Sequence, residues 1–182
     1  MIDVASTTDA ARREMFLRLV AEYQAPLRRL AAAYAREPRD QEDIVQEIAV
    51  GLWQAIPRFR GESSERTWLY RIAHNTAITA SAKLRRRGRV ESALDDVAEP
   101  PEHGALTADE KLIQKQKREL MLHAIHELSA SDRQILALHL EDLSHREIQE
   151  ITGISGGAIA TRLSRIRDRL AQQIREMEVG QR

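Results

Sequence analysis

Basic and aromatic residues are concentrated between positions 66 and 89, and this combination suits contact with nucleic acid. The stretch contains seven basic residues and no acidic one, and Trp68 and Tyr70 lie near its start. Cations pair with phosphates and aromatic rings stack on unpaired bases, so the stretch predicts binding of single-stranded nucleic acid. The alternative is a solvated basic face over aromatic core residues. For Trp53 and Phe59, which lie just upstream, we favour this core interpretation.

A second basic segment, near the C-terminus, has the pattern of a helix-turn-helix. Ser144 and Glu147 form a capping box at the start of a short helix, and Gly153 suits the left-handed position that ends it. The longer helix that follows carries five arginines and one aspartate between positions 156 and 175. Such a helix inserts into the major groove of DNA. With its isoleucines facing inward, the residues expected on or near its outer side are Thr161, Arg162 and Arg165, and Arg167 extends the positive surface.

The net charge of zero hides a strongly patterned distribution. Positions 37–50 contain five acidic residues and one basic residue, and positions 91–110 contain seven acidic residues and no basic one. Two basic segments separated by an acidic one predict two anion-binding surfaces.

The elements that carry these residues are predicted to be helices throughout. Apolar residues recur at helical spacing over 10–35, where Pro26 is expected to break or bend the run, and again from Asp40 to a point before Pro57. Further helices are expected at 65–84, 109–128 and 131–140, followed by the helix-turn-helix. Between 88 and 107 the periodicity disappears around a Pro-Pro pair. The fold class is therefore all-α, with two small helical domains over 10–89 and 108–176 and a flexible acidic linker over 90–107.

Three motifs in this order resemble the bacterial RNA polymerase sigma factors of the extracytoplasmic-function (ECF) subfamily. They are Asp40-Gln-Glu-Asp-Ile-Val-Gln-Glu47, the segment from Phe59-Arg-Gly to Ile-Ala-His-Asn75, and Gly153-Ile-Ser-Gly-Gly-Ala-Ile-Ala-Thr-Arg-Leu163. The resemblance extends from about residue 16 to residue 174. It implies that the first domain is sigma region 2 and the second is sigma region 4.

The resemblance also implies a role for each motif. The acidic helix would bind core RNA polymerase through Asp40, Asp43, Gln46 and Glu47. The basic helix would open and hold the −10 promoter element through Arg66, Trp68, Arg71, Asn75, Lys83, Arg85 and Arg86. The second helix of the helix-turn-helix would bind the −35 element through Thr161, Arg162, Arg165 and Arg167. An anti-sigma factor is a further partner that the resemblance implies.

The sequence departs from the family pattern at several of these positions. Glu65 replaces a residue that is commonly aromatic, and Thr79 stands where the family often has aspartate. Ala158 and Ala160 replace a polar residue and a base, which puts direct DNA reading there in doubt. Gln149 occupies a normally small position on the first helix of the helix-turn-helix.

Other chemistry finds little support in the sequence. The chain has no cysteine, which excludes disulfides and thiolate metal sites, and its six histidines form no HExxH-type motif. No phosphate-binding glycine loop or nucleophile motif is present. We therefore expect no enzyme, no cofactor and no metal. The first residues do not resemble a signal peptide and no apolar run is long enough for membrane insertion, so a cytoplasmic protein is expected.

Two alternatives remain open at this point. The first is an autonomous helix-turn-helix regulator that binds duplex DNA without polymerase, which leaves the acidic motif unexplained. The second is a protein-interaction module whose basic faces meet acidic partners. The promoter sequence, the anti-sigma factor and the inducing signal do not follow from the sequence.

Overall fold

The computed structural model describes residues 4–88 and 118–180, and every regular element in these two ranges is a helix. The expectation of an all-α protein is confirmed. The chain forms two compact units. The predicted linker at 90–107 lies outside the described residues, as does the first part of the helix expected at 109–128.

Three long helices build the N-terminal unit. Helix α1 spans Val4–Tyr34, α2 spans Pro38–Ala55, and α3 spans Glu65–Gly88, with a short 3-10 helix at Ile56–Arg58. Helix α2 packs against both α1 and α3. Its apolar residues recur every four positions, and Ile44, Ile48 and Leu52 are fully buried. This spacing leaves the opposite side of α2 to its acidic residues.

Pro26, expected to break or bend the helical run, does not break it, since α1 continues through this residue. Proline removes one backbone donor and crowds the preceding turn. Here Leu27 and Leu30, on either side of the next turn, are buried in the core. The burial of these side chains outweighs the lost hydrogen bond and keeps the chain helical.

Two polar contacts tie the end of α1 to the middle of α3. The Tyr34 hydroxyl lies 2.8 Å from Nδ1 of His74, and the Ser81 hydroxyl donates to the Tyr34 carbonyl at 2.9 Å. All three side chains are buried. Buried polar groups are stable only when hydrogen-bonded, so these contacts specify how α3 lies against α1.

The C-terminal unit contains a helix over residues 118–126, called α4, followed by α5 at Ala130–His139, α6 at His145–Thr152 and α7 at Gly156–Gly180. Ser129 caps α5, since its hydroxyl accepts from the Asp132 amide at 3.1 Å. Helix α5 packs on α7. The largest fully buried residues of this unit are Ile135, Leu138, Ile148 and Ile159.

Candidate nucleic-acid interfaces

A serine cap fixes the beginning of the basic helix α3. The Ser64 hydroxyl accepts from the Thr67 amide at 3.0 Å and donates to the Thr67 hydroxyl at 2.8 Å. This cap places Trp68 in the first turn of α3, where its ring lies 4.8 Å from the Phe59 ring. Trp68 is only 9% exposed and Phe59 is half-buried. Trp68, expected at the −10 element, thus presents only a small part of its ring to solvent.

A cavity of about 400 Å³ opens beside this aromatic pair. Its volume falls within the range of about 300–1,000 Å³ that is typical of small-molecule pockets. The residues that line it are Arg58, Phe59, Arg60, Glu62, Ser63, Trp68 and Arg71. The buried Nε atom of Arg71 has no hydrogen-bond partner among the described residues. The cavity thus combines an aromatic wall with several charged groups.

Sequence reasoning missed four of these residues: Arg58, Arg60, Glu62 and Ser63. Arg58 ends the 3-10 helix, and the other three belong to the loop that joins this helix to α3. Gly61 lies at the centre of this loop with a φ of +72°, a value that favours glycine. The available signal was a polar loop of basic and acidic residues lying between two aromatic residues.

The acid that departs from the family pattern, Glu65, anchors the first turn of α3 to α1. The Arg18 guanidinium donates two hydrogen bonds to its carboxylate, at 2.9 and 2.7 Å. The hydrogen bond from Arg18 lowers the pKa of Glu65, and the same contact raises the pKa of Arg18. Glu65 therefore forms an ion pair that holds the start of the basic helix against α1.

A second aromatic cluster supports the same turn. The rings of Tyr23 and Tyr70 meet edge to face at 6.1 Å, and the Arg66 guanidinium lies 5.9 Å from the Tyr70 ring. Burial raises the pKa of Tyr23. Arg66 is half-buried beside these rings and not fully projected into solvent.

Four further residues expected at the −10 element, Arg71, Asn75, Lys83 and Arg86, share one face of α3 with Trp68 and Thr79. Starting from Trp68, the steps of three or four residues lead through Arg71, Asn75, Thr79 and Lys83 to Arg86. This spacing places the six side chains in one stripe along the helix. The last four are exposed, whereas Arg71 is half-buried next to the cavity. The side chain of Arg85 lies outside the described residues.

The acidic surface of α2 lies beside this stripe. Asp43, Gln46 and Glu47 are exposed and Asp40 is half-buried. Glu47 makes an ion pair with Lys83 of α3 at 3.7 Å, with both side chains more than half exposed. Val50 continues the same face one turn later and is 52% exposed. Sequence reasoning missed Val50, although its spacing of three residues from Glu47 is a usable signal.

Trp53 has a structural environment, as expected for a residue of the core. Its ring meets Phe16 edge to face at 5.3 Å, and the Arg12 guanidinium lies 3.9 Å from its centre. The same guanidinium donates to the Trp53 carbonyl at 2.7 Å. This half-buried tryptophan therefore joins α2 to α1.

In the C-terminal unit, the structure contains the expected helix-turn-helix. The Ser144 amide donates to the Glu147 carboxylate at 2.8 Å, and the Glu147 amide donates to the Ser144 hydroxyl at 3.3 Å, which forms the predicted capping box. Gly153 has a φ of +73° at the end of α6. Gln149 reaches across the turn, where its Oε1 accepts from the Gly156 amide at 3.0 Å. The unusual residue at position 149 thus joins α6 to the first turn of α7.

The arginines of α7 do not all face the same way. Thr161, Arg165 and Arg167 are exposed, as expected. Arg162, in contrast, is half-buried and donates to the Ser131 hydroxyl of α5 at 2.5 Å. Arg162, expected on or near the outer side with Thr161 and Arg165, has a partly exposed side chain whose guanidinium turns toward α5. Its partner lies 31 residues away in the sequence, where helical periodicity gives no information.

Within the described ranges, no group of three or more histidine, cysteine, aspartate or glutamate residues could hold a metal ion. The rings of His139 and His145 lie 6.3 Å apart, without a third such residue to complete a site. Across residues 4–88 and 118–180, no helix combines the length and the apolar character needed to cross a membrane.

Comparison with known protein families gives two matches. Residues 19–89 match Sigma-70 region 2, and residues 118–170 match Sigma-70 region 4. The chain is 30% identical to the ECF RNA polymerase sigma-E factor of Haemophilus influenzae over 171 residues, which cover 91% of this chain and 90% of that relative. It is 29% identical to the ECF RNA polymerase sigma-E factor of Escherichia coli K12, over 91% of this chain and 89% of that relative.

Two solved structures share the fold. One is CnrH in complex with the cytosolic domain of CnrY, with a TM-score of 0.66 and 21% identity over 94% of this chain and 95% of that one. The other is the sigma factor RpoE in complex with the anti-sigma factor NepR from Bartonella quintana. Its TM-score is 0.65, with 23% identity over 90% of this chain and 98% of that one.

Proposed function

The chain belongs to the ECF RNA polymerase sigma factors, and we propose that it performs the work of this family through three separate surfaces. It is a transcription initiation factor that binds core RNA polymerase and directs it to promoters. The main structural support for this proposal is the stripe of side chains on α3, which begins at the cavity beside Trp68 and ends at Arg86.

The first proposed surface binds the melted −10 element. Asn75, Lys83 and Arg86 lie exposed along α3 at the spacing of successive turns, where they can follow a single-stranded backbone. The half-open cavity at the start of this stripe would receive a base that leaves the duplex, since its lining offers the polar and aromatic contacts that an extruded base needs. Arg71 bridges the two, because it lines the cavity and belongs to the stripe. Arg66 and Arg85 are proposed to add positive charge beside it.

The second proposed surface binds core RNA polymerase through the exposed face of α2. Asp43, Gln46 and Glu47 supply its acidic part, Asp40 lies at its beginning, and Val50 adds an exposed apolar residue at its end. Protein interfaces commonly combine a polar rim with apolar contact, and this face offers both within three turns.

The third proposed surface binds duplex DNA of the −35 element through α7. Thr161 and Arg165 lie one turn apart and exposed, which is the arrangement that major-groove reading requires, and Arg167 extends the positive charge toward the backbone. Weak contacts by two separate domains would combine into tight promoter binding, because the first contact raises the effective concentration of the second domain.

The remaining assignments follow from the family. We propose that region 2 corresponds to residues 10–89 and region 4 to residues 108–176, with a linker between them. The protein acts in the cytoplasm, where its polymerase is, and catalyses no reaction of its own. An anti-sigma factor is a proposed regulatory partner, because the related fold of RpoE was solved with one.

Run-off transcription with core RNA polymerase on genomic promoter fragments tests this proposal. We expect promoter-specific transcripts that depend on the protein and that are lost when Asp43 and Gln46 are both replaced by alanine. Glu14→Gln, which removes an exposed acid of α1, serves as the matched control and should leave the transcripts unchanged. A folded protein that neither binds core polymerase nor yields a transcript would refute the proposal and favour an autonomous DNA-binding regulator.

A premelted template separates the two promoter contacts. If the α3 stripe opens the −10 element, Arg71→Ala should lower transcription from duplex promoters more than from templates with a mismatched bubble at −10. An equal loss on both templates would assign Arg71 to a step other than opening.

A further inference from the structure

The helix that reads the −35 element is attached to the rest of its domain by one of its own arginines. Arg162 lies three residues after Ile159 and four before Ile166, both of which are buried. Positions three and four residues apart share a side of a helix, so Arg162 emerges beside the buried stripe. Thr161 and Arg165 emerge farther round, on the exposed side.

The Arg162 guanidinium meets the beginning of α5. It donates to the Ser131 hydroxyl at 2.5 Å and lies 3.6 Å from the Asp132 carboxylate. The other oxygen of this carboxylate accepts from the hydroxyl of Ser129, the N-cap residue of α5, at 2.8 Å. Two hydrogen bonds and one ion pair therefore connect Arg162, Ser131, Asp132 and Ser129, and we call these four residues the α5–α7 network.

This network engages Nη1 of Arg162, which the guanidinium would otherwise offer to DNA. Before this group can reach a base or a phosphate, Arg162 must break its hydrogen bond to Ser131 and its ion pair with Asp132. Arg165, one turn later, has no such contact in the described part of the chain and is exposed. The two arginines share a residue type and a helix but differ in environment.

We propose that Arg162 is a positioning residue, which sets the direction of α7 on the −35 element through the α5–α7 network and does not itself contact DNA. This inference rests on the proposed function of α7. A change in the direction of α7 on the DNA affects every base contact that the helix makes, because all of these side chains belong to one rigid element. Loss of a single base contact, in comparison, affects the one or two base pairs that this side chain touches.

The test uses the full chain bound to core RNA polymerase and a pool of randomised DNA duplexes long enough to contain both promoter elements. Sequencing of the retained duplexes gives the base preference at each position of the upstream element. We expect Arg162→Ala to weaken the preference at all positions of this element, with the ratio of selected to random duplex affinity falling about tenfold. Ser131→Ala and Asp132→Asn should reproduce this pattern, although neither residue belongs to α7.

Arg165→Ala is the matched control, because it removes an exposed arginine from the same helix. It should remove the preference at one or two base pairs and lower the slope of log affinity against log salt by about 0.9 if it also releases a phosphate. Arg162→Ala should leave this slope unchanged. Thermal unfolding checks each variant, and Ser131→Ala, which removes only a hydroxyl, carries the test if Arg162→Ala does not fold.

Several results would overturn the proposal. They are a local loss of preference in Arg162→Ala, an unchanged preference in that variant, a lower salt slope, or Ser131→Ala and Asp132→Asn behaving like the wild type. Failure of the wild-type holoenzyme to select any upstream element would instead refute the proposed function of α7, so the two failures are distinguishable.

Discussion

The contact between α2 and α3 depends on Gly51, and replacing this residue by alanine should weaken the N-terminal unit. A Cβ atom built at Gly51 would lie 3.0 Å from Oγ1 of Thr76 and 3.5 Å from Cγ2 of Ile72. Threonine is branched at Cβ and has only two favoured χ1 rotamers in a helix, so its hydroxyl has few positions to move to. The two helices must separate by several tenths of an ångström, or the side chain must take a strained rotamer.

Two opposing effects set the size of the change. Glycine to alanine within a helix stabilises by about 1 kcal/mol through helix propensity. Overpacking of a tight contact costs about 1–3 kcal/mol. We expect the overpacking to exceed the gain, with Gly51→Ala less stable by about 1 kcal/mol. For a unit of this size, that change lowers the melting temperature by about 4–8 °C.

Tryptophan fluorescence during urea or thermal unfolding measures this effect selectively. Both tryptophans of the chain, Trp53 and Trp68, belong to the N-terminal unit. Thr76→Ala in the Gly51→Ala background removes the clashing hydroxyl, so the double variant should regain at least the stability of the wild type. A Gly51→Ala variant that is more stable than the wild type, as for an unconstrained helix glycine, would refute this account of the close contact.

Two further predictions concern contacts that hold α1 to α3. Glu65→Gln should destabilise by up to about 1 kcal/mol, since the pair with Arg18 is partly exposed. Because the folded-state pKa of Glu65 is lowered from 4.5, the stability from this pair is present above that pH and is lost as pH falls through the folded-state value. In urea unfolding across acidic pH, the free energies of unfolding of the wild type and of Glu65→Gln should converge as the pH falls. A difference that stays constant with pH would show that the Glu65 carboxylate is not its origin. Glu22→Gln, which removes the weaker contact with Arg18 at 3.6 Å, is the control. Tyr34→Phe should cost about 1–3 kcal/mol, because it removes the hydroxyl that meets buried His74. Ser81→Ala, which loses a bond to the Tyr34 carbonyl, serves as its comparison, and a Tyr34→Phe variant as stable as the wild type would show that the bond contributes nothing.

Patterns that act within a few residues were sufficient to predict most of the helices. The period of Ile44, Ile48 and Leu52 on α2 and the capping box at Ser144 are local, and both occur in the structure as predicted. The break considered at Pro26 does not occur, because the lost backbone donor and the crowded turn are not the only contributions at this position. The burial of the neighbouring leucines depends on the other helices, and sequence periodicity does not measure how much such burial contributes.

The cavity beside Trp68 and the contacts of Arg162 could not be predicted from local sequence patterns, since they depend on residues that are distant in the sequence. The cavity beside Trp68 forms because a loop folds over the start of α3, and nothing in the spacing of Arg58 and Glu62 indicates a shared pocket. The contact of Arg162 with Ser131 joins residues 31 positions apart. A helical wheel places a side chain on a face, but the direction of a long side chain near a boundary depends on which partner the next helix offers.

Some arginines of this protein hold its helices together, and others are exposed and free of such contacts within the described residues. This difference affects how the DNA affinity of the protein should be estimated. Five arginines lie between positions 156 and 175. Arg162 is bound to α5, and Arg169 donates to the Glu127 carbonyl at 3.3 Å, so these two hold α7 to its own domain. In the N-terminal unit, Arg12 and Arg18 likewise connect α1 to its neighbours.

Only the arginines outside such contacts are available to displace counterions from DNA without first losing a protein contact. Each phosphate that they neutralise contributes about 0.9 to the salt slope of duplex binding. A count of all five arginines of α7 would therefore overestimate this slope, whereas Arg165, Arg167 and Arg175, which are exposed, set its upper limit for the helix. A net charge of zero over the whole chain is therefore compatible with DNA binding, because the exposed arginines of α7, and not the sum of all charges, would meet the phosphates.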